Sequence, residues 1–133
     1  YYRFLNKYFL FLQIPIGLTL YAIGQKLGVG GWAMVLWGIP LRLVVVYHIT
    51  WLVNSATHCW GEAPFESGDS SKNNAWVAAL TFGEGWHNNH HAFPNSARQG
   101  LFKGQIDLTW EHIKILAKLR LAKKVKLPSR SYY

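Results

Sequence analysis

Cysteine is all but missing from this chain. Cys59 is the only one in 133 residues, so no disulfide can close within it and no thiolate zinc cage can be built. Acidic residues are scarce and one-sided. Residues 1–61 contain no Asp or Glu, and all six acids fall between positions 62 and 111. The same first half carries only four cations, Arg3, Lys7, Lys26 and Arg42. No phosphate-cradling Gly-x-x-x-x-Gly-Lys-Ser/Thr loop and no Cys-x-x-Cys-His haem attachment site occurs, and Gly28-Val29-Gly30-Gly31 reads as a turn between apolar runs. Nothing fixes a Ser-His-Asp triad. Internal repeats and low-complexity tracts are absent.

Half of the residues are hydrophobic and 16% are aromatic, which excludes a disordered chain. The apolar residues lie mainly in two runs. Tyr8–Gln25 is uncharged, and eighteen such residues reach about 27 Å as a helix, close to the thickness of a bilayer core. Trp32–Val53 is a second run, interrupted by Arg42 and His48. A single Arg there should face protein or water. Two buried helices of a soluble protein would give the same pattern, but a domain this small could not cover both. We therefore expect a membrane hairpin, spanning at about 8–25 and 32–53, with both ends on one side. Seven of the fourteen cations fall between Lys114 and Arg130, where no acid occurs. A basic tail after a membrane segment marks the cytoplasmic side or its equivalent. These cations do not interleave with stacking aromatics, so nucleic acid is not the expected partner. The chain opens at Tyr1 in mid-pattern, and we expect it to be a piece of a longer protein.

Beyond Trp60 the character changes. GEAPFESGDSSKNN reads as a polar loop. Asn74–Phe82 is a short apolar helix. Trp86–Phe93 can make a further turn or two before Pro94. Asp107 is a natural N-cap for a helix to about Lys123. In it Glu111, Lys114 and Lys118 share one face, and Trp110, Ile113 and Ala117 another.

The strongest chemical signal is Trp86-His87-Asn88-Asn89-His90-His91. On a helix, positions i, i+3 and i+4 share a face, so His87, His90 and His91 point the same way. Neutral imidazoles so placed are a ready donor set for a transition metal. Asn54 and His58 are i, i+4 neighbours where the second apolar run meets the polar half. His58 is read as one more ligand, although a helix-end histidine facing solvent has the same local pattern. Asn54 can hydrogen-bond a ligand or a metal-bound water. Glu84 is either an ordinary exposed carboxylate or a group that orients a ligand histidine. His48 is read as a satisfied interior histidine, His112 as a surface one, and Cys59 as a small packed residue.

NSATHCWG (54–61) followed by GEGWHNNHHAFP (83–94) and QIDLTW (105–110) resembles the C-terminal third of membrane fatty acid desaturases. The nearest pattern is the acyl-CoA or acyl-lipid delta-9 type of cyanobacteria and plants, and the likeness runs from about Arg42 onward. His-x-x-His-His alone is shared with hydroxylases and other oxygenases, whereas the combination of motifs is much more specific. The resemblance implies an all-α integral membrane hairpin plus a cytosol-side helical cap, residues 54–133, that carries the metal ligands. It implies two iron ions (a di-iron centre), with His58, His87, His90 and His91 among the ligands and Asn54 bonded to a metal-coordinated water. His48 and His112 match no ligand of the family. The reaction implied is insertion of a cis double bond into a saturated acyl chain. Dioxygen is the co-substrate, ferredoxin or cytochrome b5 the electron donor, and acyl-CoA or acyl-lipid the substrate. The membrane is that of the endoplasmic reticulum, the plastid or a bacterium, with the catalytic side cytosolic or stromal. Five further histidines of the family's first two boxes have no counterpart here, so the fragment is expected to be inactive alone. The rival readings are a related membrane di-iron hydroxylase and a non-catalytic metal-binding membrane fragment.

Overall fold

A computed structural model describes residues 2–128. Tyr1 and the last cation of the basic tail, Arg130, lie outside them. The described residues are helical, with no strand among them and only isolated bridges pairing Glu62 with Asn73 and Asn73 with Trp86. Two units can be distinguished, Tyr1–His48 and Ile49–Tyr133.

The first unit is built from helices α1 (Tyr2–Lys26) and α2 (Gly31–Leu36), a π-helical turn (Trp37–Leu41), and the start of α3 (Arg42–Cys59). α1 ends where Gly28 (φ 70°) and Gly30 (φ 89°) take the left-handed conformation that favours glycine, and the N–H groups of Val29 and Gly30 fold back onto the Gly24 carbonyl. The π turn follows from Pro40, which has no N–H to give to the preceding turn; the Arg42 N–H bonds the carbonyls of Ile39 and Trp37 instead. The Arg42 side chain bonds its own helix, at the Gly38 carbonyl (3.1 Å). From Gly31 to Cys59 the helical run is continuous over 29 residues.

Both Arg3–Lys26 and Gly31–Cys59 are long and apolar enough to cross a membrane. Their apolar windows are only 6% and 0% buried within the chain, which is not how the core helices of a soluble protein sit. Leu10, Trp32 and Trp37 are among the bare side chains. Both helices outrun the expected spans of 8–25 and 32–53. At the start, Arg3 and Lys7 have long stems that keep helical residues compatible with an interface. At the end, nothing in Asn54-Ser55-Ala56-Thr57-His58 breaks a helix, and Asn54, Ser55 and Thr57 each bond a carbonyl one turn back. Small residues let the helices of this unit close up. A Cβ on Gly24 would stand 2.6 Å from the Gly30 carbonyl oxygen, one on Gly31 would enter the Tyr21 ring, and one on Gly38 would meet Leu20.

The second unit holds the end of α3, then α4 (Ala75–Leu80), α5 (His87–Ala92) and α6 (Leu108–Lys118). Its apolar cluster is small: Val53, Ala56 and Val77, with Leu52 against them. Its largest fully buried side chains are polar, namely Asn88, Asn89, Thr57 and Ser71. Buried polar groups must be bonded, and here the bonds organise the loops. Asn74 caps α4 through Val77 N–H, and Asp107 caps α6 through Trp110 N–H while also accepting the N–H groups of Gln99 and Gly100. α6 stops at Lys118, five residues short of expectation. Arg120 takes a left-handed φ of 59°, and the N–H groups of Arg120 and Leu121 return to the carbonyls of Ala117 and Leu116, a Schellman closure.

Candidate metal centre

The helix α5 has two faces with different tasks. Asn88 and Asn89 are directed to the surrounding loops. Asn88 exchanges both backbone bonds with Phe65 (2.9 and 3.0 Å) and donates to Ser67 Oγ and the Ser71 carbonyl (3.2 and 3.1 Å). Asn89 accepts from Asn73 (2.6 Å) and donates to the Gln99 carbonyl and Gln105 Oε1 (2.7 and 2.8 Å). The entry to α5 is fixed as firmly. Trp86 Nε1 donates to the Ile106 carbonyl (2.8 Å), and Gly85 lies against the backbone of Ala78 with no room for a Cβ. Gly83, at φ 120°, is a position for glycine alone, and its missing side chain is the space Asp107 occupies.

With α5 so anchored, its histidines face the end of α3. His87 and His91 have ring centroids 4.3 Å apart, and His58 stands 5.1 and 5.5 Å from them. Each of these three offers a ligand nitrogen, and all three nitrogens lie within 4.8 Å of one another. A single cation can bridge such a group. His90 sits beside it, 6.0 Å from His87 and 5.7 Å from His91 between centroids, but outside the group of three.

The polar bookkeeping marks where a cation fits. His87 Nε2 and His90 Nδ1 are buried with no hydrogen-bond partner, a costly state for a polar atom unless something else takes the lone pair. Burial, reinforced by the nearby His91, His58 and His90, pushes the His87 imidazole down to about 4. Burial and then His91 also lower His90. Both rings are therefore neutral at pH 7, the form that binds a metal. Among the described residues, Asp69 is the carboxylate that touches the group. Hydrogen bonds from the side chain and backbone of Ser71 hold its carboxyl well below the usual range, and its Oδ2 bonds His91 Nδ1. Ser70 Oγ lies 3.1 Å from His58 Nδ1.

The structure thus brings together His58, His87 and His91, with His90 adjacent. Asn54 lies one turn before His58 on α3, exposed, its side chain donating to the Thr50 carbonyl (3.0 Å). Glu84 is exposed and reaches the histidines only as a charge that raises His90 slightly. His48 bonds its own helix at the Val44 carbonyl (2.8 Å) but is exposed on this chain rather than interior, and His112 is exposed as expected. Cys59, read as packed, is exposed. Sequence reasoning passed over Asp69 and Ser70 because a Gly-Ser loop has no periodicity to place its side chains. The available signal was an acid in that loop upstream of a histidine cluster.

Comparison with known proteins agrees with this geometry. The chain is 54% identical over 129 residues to the sn-1 stearoyl-lipid 9-desaturase of Anabaena variabilis, covering 97% of this chain and 45% of that protein. It is 52% identical over 131 residues to the chloroplastic palmitoyl-monogalactosyldiacylglycerol delta-7 desaturase of Arabidopsis thaliana, covering 98% and 34%. To the acyl-CoA C20 Delta5-desaturase of Anemone leveillei it is 46% identical over 129 residues, covering 97% and 39%. The chain therefore spans less than half the length of these relatives. The family model described as fatty acid desaturase matches residues 2–118, and the chain, which has two membrane-length helices and a histidine cluster, belongs to the fatty acid desaturase family.

Proposed function

We propose that the complete protein is a membrane desaturase that inserts a cis double bond at the delta-9 position of a saturated acyl chain carried on a lipid or CoA. The observation that carries this reading is the convergence of His58, His87 and His91, with His90 beside them, at the end of a membrane-length helix. The position is supported by relatives named as lipid 9-desaturases at 54%, 53% and 50% identity. The domain reading follows: 1–133 is the C-terminal part of one desaturase domain, with residues 54–133 on the cytosolic or stromal side.

Removing one hydrogen from each of two adjacent methylenes and forming the C=C bond consumes one dioxygen, two electrons and two protons, and releases two waters. When bound, a pair of iron ions supplies the oxidant that unactivated C–H bonds require. The chain's own part is to present neutral imidazoles. His58, His87 and His91 would hold one ion and His90 would reach toward the second. Asn54 would bond a metal-bound water and Glu84 stands near His90 as a charge. Four histidines cannot complete two sites, so the remaining donors belong to the rest of the complete protein. Ending the second span at the ligands lets an acyl chain stay in apolar surroundings while its head group remains in water. The cations from Lys114 to Lys126 suit an anionic lipid surface or an acidic ferredoxin or cytochrome b5.

The test is to express the complete natural chain in a host fed saturated fatty acids and analyse its lipids by gas chromatography. A new monounsaturated acid is expected. It should disappear in His87→Ala and His90→Ala, with at least one metal lost per chain, and persist in His112→Ala. A hydroxylated product would move the protein to the hydroxylase reading, and equal activity in all three variants would overturn the ligand assignment.

A further inference from the structure

The loop between α3 and α4 is held far more tightly than a connector requires. Ser67 Oγ bonds both Asp69 Oδ1 (2.8 Å) and Ser71 Oγ (2.9 Å). Ser71 N–H also donates to Asp69 Oδ1 (2.9 Å), and Asn88 grips the loop at Phe65, Ser67 and Ser71. One oxygen of Asp69 is thereby spent on the loop, which aims the other at His91 Nδ1. One residue along, Ser70 Oγ meets His58 Nδ1. Two of the three grouped histidines thus have Nδ1 engaged by neighbours on a single loop, which leaves Nε2 of each as the available donor atom. On His87 it is Nε2 that is buried and unpartnered.

We propose that Asp69 is a positioning residue for metal binding: its Oδ2 accepts the Nδ1–H of His91, fixing the ring's tautomer and orientation so that the Nε2 lone pair faces the ion shared with His58 and His87. An ionised carboxylate can only accept, so the ring proton must sit on Nδ1. With the proton on Nε2 instead, the only ring lone pair of His91 would be on Nδ1, facing Asp69 and not the ion. Ser70 Oγ meets His58 Nδ1, but a hydroxyl can donate or accept and so does not fix the tautomer, which makes Asp69 the decisive member. Such partners set ligand orientation and basicity. This inference rests on the histidines being ligands, as proposed above.

Asp69→Asn separates the two oxygens. The carboxamide keeps Oδ1 for Ser67 and Ser71, but it turns an N–H toward His91 Nδ1 and so favours the wrong tautomer. The complete natural chain, purified in detergent and stripped of metal, would be titrated with Fe(II) without oxygen and with Co(II) for its absorption spectrum. D69N should bind one metal about 10–100-fold more weakly, with an altered Co(II) band and an apo melting temperature close to wild type. Ser67→Ala removes one bond to Oδ1 together with the Ser67 contacts to Ser71 and Asn88, but the Ser71 N–H still holds Oδ1, so it should bind close to wild type. Unchanged affinity and spectrum in D69N would overturn the proposal while leaving the ligand assignment intact. Equal losses in D69N and S67A, with a lowered apo melting temperature, would also overturn it, because Asp69 would then be a loop brace. A wild-type protein that takes up neither metal would overturn the ligand assignment, and the positioning role with it.

Discussion

At the scale of residues, the run His87–His91 divides two jobs between two kinds of side chain. The histidines carry the ring nitrogens proposed above as metal donors, and the asparagines between them fasten α5 to the loops around it. A histidine is useful here only while neutral, and burial secures that for His87 and His90. The asparagines are useful because an amide both donates and accepts, so one side chain can satisfy a loop N–H and carbonyl together. Asn88→Ala should therefore be costly without removing any histidine. It strands the Phe65 N–H and the Phe65 and Ser71 carbonyls, and is expected to lower stability by about 3 kcal/mol in denaturant unfolding. A loss under about 1 kcal/mol would mean that water replaces the amide fully.

Among elements, the two long helices obey different rules from the short ones. α1 and the run Gly31–Cys59 are long and predominantly apolar, and the fit of α1 against residues 31–41 depends on glycine. Gly24→Ala would drive a Cβ to 2.6 Å from the Gly30 carbonyl oxygen and 2.8 Å from Met34. Because the first of these is turn backbone that cannot step aside, a loss of about 1–3 kcal/mol is expected from thermal unfolding in detergent. Gly17→Ala meets only Ile39, at 3.4 Å, and should be neutral or slightly stabilising, since alanine favours helix. The reverse ranking would contradict this packing. The short helices have little apolar burial and lean on caps: Asn74 for α4 and Asp107 for α6. The six-residue helix α5 has no side-chain cap at all and is held instead by its two asparagines and by Trp86.

For the whole molecule, a bound ion would tie α3 to α5 through His58, His87 and His91. Binding confined to the folded state adds stability by mass action, about 2.7 kcal/mol at a hundredfold excess over Kd. Chelation of the complete, metal-loaded protein should therefore lower its melting temperature. Fe(II) should restore it and Ca(II) should not, because imidazole is a poor ligand for a hard cation. Equal rescue by Ca(II) would point to a carboxylate site instead.

What the sequence by itself determined were the features set by local repetition. Apolar runs of bilayer length and three histidines at i, i+3 and i+4 need only helical geometry to be placed, and the structure has the runs in long helices and the histidines on α5. Pro40 and Gly28 likewise act through their own backbone neighbours, as does Asp107 where it caps α6. What only the tertiary structure decided were the arrangements built from distant partners. That His58 meets His87 and His91, and that Asp69 rather than Glu84 touches a histidine, depends on a loop held by bonds such as Phe65–Asn88 and Ser71–Asn88, 23 and 17 residues apart. Such bonds leave no periodic trace. A polar loop has no apolar face to register it, so its side chains acquire a direction only once Asn88 and Asn89 are buried against it.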